Sequence, residues 1–304
     1  MKPVRSLHRN FSRYPSHEVS DPYLVPGTDA LRNRLGITDV DVLKQEEDAY
    51  TALRLVEFEQ GPSSGTYDLK NLQTIHQCIF QDVYDWAGEL RTTHILKYEF
   101  ENAGRISRFT APERIVEVGN SILERLKNPA DLRNLTLPDM ANHLGEICTK
   151  LNTLHPFREG NGRASRAFLS KFVQDVGQDL NFEGISRERW IRASINAHFG
   201  DPSSLVRVFA EILDPEARRR FHAIKPKFDA MRRDNVWDWH EHYISVPPPG
   251  RTVDGIVAIA TEEIVVVRTR DIRFELIRPA SIRYVPKTKD HIVMIESERA
   301  WEKP

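Results

Sequence analysis

The chain of 304 residues carries 43 Lys and Arg against 44 Asp and Glu, a formal net charge of −1, so no global field draws it to nucleic acid or to an anionic membrane. Its length supports one large or two modest domains with real cores. No apolar run approaches the ~18 residues of a membrane span, and the N-terminus lacks the apolar centre of a secretory leader. Cys78 and Cys148 both fall on apolar helical stripes and read as buried free thiols, which favours a reducing compartment.

Taken in order, residues 1–29 mix Arg, His and Ser without a period, and Pro22, Pro26 and Gly27 mark an irregular lead-in. Residues 41–59 hold Val42, Leu43, Ala49, Leu53 and Val56 among charges, a spacing that predicts an amphipathic surface helix. Gly61-Pro62-Ser63-Ser64-Gly65 breaks it. Asp68 caps the next helix, with Leu69, Leu72, Ile75, Ile79 and Phe80 as its buried stripe. From Thr92 the period changes: apolar and polar residues alternate loosely to Phe100, Asn102-Ala103-Gly104 offers a turn, and residues 105–109 return, a β-hairpin signature. Pro112 opens another helix with Ile115, Val116, Val118, Ile122, Leu123 and Leu126 apolar, ending near Asn128-Pro129.

The most informative stretch lies between two further helices. Upstream, Leu137, Met140, Ala141, Leu144, Ile147, Cys148, Leu151 and Leu154 form an apolar stripe behind a Thr136 cap, and Pro156 ends that helix with His155 at its C-terminal edge. Downstream, Ala164, Ala167, Phe168, Phe172, Val173 and Val176 restart the stripe until Gly177 closes it. The turn between them, Gly160-Asn161-Gly162, leads into a helix N-terminus, where backbone N–H groups and the dipole favour an anion such as phosphate. Arg163 and Arg166 are disfavoured in a first turn unless an anion is their partner. Glu159 stands where one carboxylate and phosphate oxygens would hold Mg²⁺, and His155 can take a proton from a hydroxyl near neutral pH. Singly, each is an ordinary residue: a helix-end histidine, a solvated acid, surface arginines. Their coincidence within one short stretch is what carries the chemical reading. Phe157 reads as the packing anchor of the loop.

Further on, Ser186 caps a segment with Trp190, Ile191, Ile195 and Phe199, and Asp201-Pro202 begins another with Leu205, Val208, Phe209 and Ile212. A helical bundle is the economical reading of 30–214, apart from the hairpin. Residues 215–235 read as a connecting basic helix. Short strand patterns follow at 243–246, 255–261, 264–269, 274–277, 282–285 and 291–295, which suggest a small all-β barrel over 236–304. Only scattered basic residues and no row of exposed aromatics are present there, so a structural or partner-binding module is favoured over a nucleic-acid reader.

At every defined position, the stretch from His155 to Arg166 is similar to the Fic signature His-Pro-Phe-x-Glu-Gly-Asn-Gly-Arg-x-x-Arg. Tyr67-Asp68-Leu69, Ile75-His76 and the run Phe80-Gln81-Asp82-Val83-Tyr84-Asp85-Trp86-Ala87-Gly88-Glu89-Leu90-Arg91 resemble the segment that precedes the Fic active-site hairpin. With the β segment, the chain looks most like the N-terminal region of the Bartonella type IV secreted effectors. The resemblance implies a mainly α Fic helical bundle with a β-hairpin flap, followed by a small OB-like barrel. It implies a protein adenylyltransferase that moves AMP from Mg·ATP to a Ser, Thr or Tyr hydroxyl of a target protein, a host small GTPase being the family-based guess, with release of pyrophosphate. The roles implied are His155 as general base, Glu159 as Mg²⁺ ligand, Gly160, Asn161 and Gly162 as the phosphate nest, and Arg163 and Arg166 as phosphate contacts. The flap would register the target by strand addition through Lys97, Tyr98, Glu99, Glu101, Arg105 and Phe109. Transfer of another nucleotide or of phosphocholine by the same site is the alternative within the class, and a non-catalytic adaptor the alternative outside it. By resemblance the protein works in the host cytoplasm after type IV secretion from the bacterial cytoplasm, and related effectors continue into a secretion-signal domain. Fic enzymes are restrained by a glutamate in a Ser/Thr-x-x-x-Glu-Gly/Asn helix. Here Glu precedes Gly or Asn only at Glu101, Glu159 and Glu183, with Lys97, His155 and Asp179 four residues earlier. No internal brake is visible, so the chain is expected to be either constitutively active or restrained by a separate small antitoxin-like inhibitor as a partner.

Overall fold

The computed structural model describes residues 21–295 except 64, 100–103, 183–184, 186, 216–218, 221–222, 224–243, 248–249, 262–263, 271–273 and 278–285. The helices are α1 (Val40–Gln60), α2 (Leu69–Phe80), α3 (Ile115–Leu123), α4 (Leu137–Leu154), α5 (Asn161–Asp175), α6 (Arg187–His198) and α7 (Ser203–Leu213). The strands are β1 (Leu96–Glu99) and β2 (Arg105–Arg108), then β3 (Ile244–Ser245), β4 (Thr252–Ala260), β5 (Val265–Thr269), β6 (Phe274–Ile277) and β7 (His291–Ile295). The expected Ser186 cap, nearly all of the basic connecting helix and the strand at 282–285 lie outside the described residues. Among the described helices none is long and apolar enough to cross a membrane. Both cysteines are free thiols, Cys148 buried and Cys78 half-buried.

Two compact units are distinguished, Met1–Leu135 with His143–Asp179 and His198–Gly200, and Thr136–Asn142 with Leu180–Ala197 and Asp201–Pro304. In the first, the expected stripes are inside: Leu72, Ile79 and Phe80 of α2 and Leu144, Ile147, Cys148, Leu151 and Leu154 of α4 have no exposed surface, nor have Phe168 and Phe172 of α5. The caps are also as the sequence predicts. Asp68 accepts the Asn71 N–H at 2.8 Å, Thr136 accepts the Asp139 N–H at 3.3 Å, and Gly177 closes α5 with φ 84°.

α1 departs from its apolar pattern. Val42, Leu53 and Val56 are exposed, whereas Leu43, Glu47 and Thr51 are buried. The cause is polar: the inner face of α1 is a hydrogen-bonding surface for Tyr84 and Arg163, so its carboxylate and hydroxyl must turn inward.

The hairpin pairs β1 with β2 antiparallel, Leu96 opposite Arg108 and Glu99 opposite Arg105. In the second unit, Trp190 of α6 meets Phe182 and Phe209 edge to face at 5.3 and 5.7 Å. The C-terminal strands form a sheet in the order β3-β6-β5-β4-β7, antiparallel except for the parallel pair β3 and β6. It is apolar on both sides: Ile264, Val266 and Leu276 form one cluster, and Val253, Val257, Val265, Val267, Ile277 and Ile292 the other. The expected closed OB-like barrel is not shown: among the described residues the strands form an open five-stranded sheet. Closure requires edge strands to pair, and β3 and β7 are not neighbours here.

Candidate active site

The first unit brings the signature residues together at the start of α5. At the end of α4 the His155 N–H still bonds to Leu151 O at 3.0 Å, but the following Pro156 forbids another helical turn, and His155 takes φ 45°. A non-glycine residue in that region costs on the order of 1–3 kcal/mol and persists where its surroundings over-determine it. Arg91 supplies those surroundings. Its Nε donates to His155 O at 2.8 Å, Nη1 to Thr93 O at 2.7 Å and Nη2 to Thr110 O, while its backbone N–H bonds to Pro156 O at 2.9 Å. Burial among carbonyls lowers the Arg91 guanidinium to about 10, which still leaves it charged.

The His155 ring stacks on Phe109 at 4.0 Å between centroids, with 20° between the planes. Its Nδ1 lies 3.3 Å from Asn152 O. A carbonyl only accepts, so Nδ1 carries the hydrogen and Nε2 keeps its lone pair. Burial pushes the imidazole down to about 4, against the opposing pull of the Glu159 carboxylate. The ring is a neutral base at neutral pH.

Gly160 begins α5 with φ 80°, and a Cβ there would lie 2.3 Å from the Phe80 ring and 3.1 Å from His76 Nε2, so no other residue fits. Its N–H donates to Glu159 Oε1 at 2.9 Å. The Asn161 side chain staples the loop, accepting from Phe157 N–H and donating to Phe157 O, both at 2.8 Å. Gly162 is exposed, and a Cβ on it would first meet Arg166 Nη1, at 3.7 Å. Arg166 thus lies beside an open first turn. Partial desolvation raises the Glu159 carboxyl, but Arg163, the Gly160 N–H and Arg158 outweigh it and keep the half-exposed group below its ordinary value, ionised.

Arg163 lies between Glu159 and the inner face of α1. It pairs with Glu47, reaches Asp48 at 3.3 Å and Thr51 Oγ1 at 3.1 Å, lies 3.6 Å from Glu159, and covers the Phe80 ring at 4.7 Å. Glu47 also accepts from Tyr84 Oη, and burial with the nearby Glu159 charge raises its carboxyl. Just past the hairpin Phe109 stacks on His155, while within it Lys97 and Tyr98 are half-buried and Arg105 is exposed over the Phe199 ring at 5.1 Å. Glu99 is buried, accepting from Ser107 at 2.9 Å beside Lys97 Nζ at 3.7 Å. Glu101 lies outside the described residues.

Sequence reasoning quoted His76 and Arg91 only within the stretches that resemble the Fic segment, with no role, and passed over Glu47. His76 had a signal, being a polar residue inside an apolar stripe. Arg91 had none, because nothing local tells a buried arginine from an exposed one.

Residues 66–173 match the Fic/DOC family. Over 196 residues the chain is 34% identical to a probable protein adenylyltransferase Fic of Escherichia coli K12, covering 64% of this chain and 94% of that protein. The chain belongs to the Fic family. A likeness of fold extends further: the type IV secretion system effector protein BepA superposes with a TM-score of 0.71 at 24% identity, over 92% of this Fic chain and 97% of BepA. BepC of Bartonella tribocorum, solved with bound AMPPNP, gives 0.58 at 27% identity over 66% of this chain and 99% of its own.

Proposed function

We infer that this Fic protein transfers AMP from ATP to a hydroxyl of a target protein. The observation that carries the reading is the neutral His155 imidazole, its Nε2 lone pair available, next to an open α5 N-terminus edged by Arg166 and an ionised Glu159. The phosphates sit on the first-turn amides of α5 and on Arg166, since that end of a helix favours anions. Nε2 of His155 accepts the hydroxyl proton as the target oxygen bonds to the α-phosphorus. The bond from that phosphorus to the β-phosphate bridge breaks, and its electron pair leaves with pyrophosphate. The residues present fit Mg²⁺: Glu159 offers one half-exposed hard carboxylate, and no group of three metal-ligating side chains competes among the described residues. When bound there, Mg²⁺ would neutralise charge on the polyphosphate. The AMPPNP bound by BepC supports a nucleoside triphosphate as the donor. Arg163, held against α1, is given a bracing role beneath the nest.

The target proposed is a host small GTPase, reached by type IV secretion and docked along the flap. A separate small inhibitor is proposed as the restraint. The proposed organisation keeps 30–214 as the catalytic domain, 215–235 as a basic connection and 236–304 as a small OB-like module. Incubation with Mg²⁺, host lysate and ATP labelled at the α-phosphate is the test. Label on a protein band with α-label and none with γ-label is expected. No α-label on any protein would overturn the activity, and mass spectrometry of the band identifies the added group and the modified side chain.

A further inference from the structure

His76 lies in α2, which supplies none of the residues assigned to the reaction. Its ring has no exposed surface and is sandwiched between Phe157, with centroids 3.9 Å apart, and Phe80, at 4.6 Å, both nearly parallel to it. The hydrogen bonds decide its tautomer. The Gly88 N–H can only donate, and it meets His76 Nδ1 at 2.9 Å, so Nδ1 is the acceptor. The ring hydrogen is therefore on Nε2, which donates to the Glu159 carbonyl at 2.9 Å. Gly88 is itself fixed. Its φ is 86°, its carbonyl accepts from Gln73 Nε2 at 2.9 Å, and a Cβ on it would lie 2.9 Å from Gln77 Cβ.

The consequence falls on the peptide between Glu159 and Gly160. A trans peptide points its carbonyl and its N–H in opposite directions, so a carbonyl held on His76 turns the Gly160 N–H away from α2. That N–H is the donor that bonds to Glu159 Oε1 at 2.9 Å. The chain of bonds thus runs from the Gly88 turn through an imidazole of one tautomer to the carboxylate beside the nest. We propose that His76 is a positioning residue that sets the Glu159–Gly160 peptide, and through it the Glu159 carboxylate and the start of the phosphate nest. This rests on the reading of Gly160–Gly162 as that nest.

A histidine that only fills the core would lose stability and function together when replaced. The two half-mimics separate the cases. His76→Gln places an amide nitrogen near Nε2, keeping the donor to Glu159 O and losing the acceptor for Gly88. His76→Asn places an oxygen near Nδ1, keeping Gly88 and losing Glu159. Binding of α,β-methylene ATP, whose α–β bridge cannot be cleaved, is measured by calorimetry with Mg²⁺ on the full chain, alongside thermal melting. Expected is binding by His76→Gln within about threefold of the parent chain, and a loss of about 10- to 100-fold in His76→Asn, the range of supporting residues behind a ligand. The order is expected regardless of which variant melts lower. Equal losses in both variants, or undiminished binding by His76→Asn, would overturn the proposal. If neither variant folds, nitrogen NMR of the ¹⁵N-histidine-labelled parent decides: hydrogen on Nε2 is expected, and hydrogen on Nδ1 or on both nitrogens overturns it. A parent chain that binds no nucleotide sinks the nest reading instead, and the NMR still tests the tautomer.

Discussion

At the scale of the residue, the proposed base is prepared by backbone geometry more than by its own chemistry. A left-handed His155, clasped by Arg91 at its carbonyl, presents a ring whose hydrogen is committed to Asn152 and whose Nε2 is available. His155→Ala is expected to lower kcat about a hundred- to ten-thousand-fold, the usual worth of a general base, while nucleotide binding and melting temperature change little. Activity within threefold of the parent would exclude the assignment. The same burial sets the pH response. An imidazole lowered from 6.5 to about 4 stays unprotonated through the range in which a free histidine charges. Rate is lost only as pH falls through the lowered value, so the acid limb of kcat/KM for the target should lie near 4. A limb centred near 6.5 would mean that the acting base is exposed.

At the scale of the element, the capping residues and apolar stripes of α2, α4 and α5 were legible because core burial and helix ends leave local marks. So was the Gly160-Asn161-Gly162 turn that opens α5, whose glycines and charges are contiguous. α1 was not. Its inner face is polar because Glu47 and Thr51 answer Arg163, a residue more than a hundred positions away, and no local period records such a partner. The pair is largely buried, Glu47 at 8% and Arg163 at 18% side-chain exposure. Removing Glu47 still leaves Arg163 the Asp48 and Glu159 carboxylates, so the loss should stay below the ~3–5 kcal/mol of a buried pair broken outright. Glu47→Ala is therefore expected to lower stability measurably in denaturant melts, and Glu47→Gln by less because the Tyr84 bond survives. The hairpin divides similarly. Glu99 is committed to Ser107 inside it, whereas Arg105 is exposed. Arg105→Glu is expected to change which lysate protein is labelled and to leave self-modification nearly as before, since exposed charges act on encounter and selectivity. An unchanged band pattern would leave Arg105 only a solubilising role.

At the scale of the whole molecule, what the sequence says least about is the C-terminal sheet, where short β runs predict strands without their closure. It says most about control. A brake of the family type needs a glutamate, followed by Gly or Asn, four residues after Ser or Thr, and Glu101, Glu159 and Glu183 all lack that partner. In the described structure the Glu159 carboxylate accepts the Gly160 N–H and lies in the field of His155, the place of the proposed metal ligand. A restraining glutamate of that pattern would then come from outside residues 1–304, and a separate chain is the proposed source. Arg166 is the natural seat, because the planar fork of a guanidinium that would hold a phosphate accepts a carboxylate in the same bidentate way. The expectation is that the purified chain alone transfers AMP, and that a small helical protein carrying the Ser/Thr-x-x-x-Glu-Gly/Asn pattern suppresses the transfer by competing with the nucleotide. Replacing that protein's glutamate with Gly should abolish the suppression without abolishing the complex. A chain inactive alone and activated by substituting one of its own glutamates would place the brake inside the molecule.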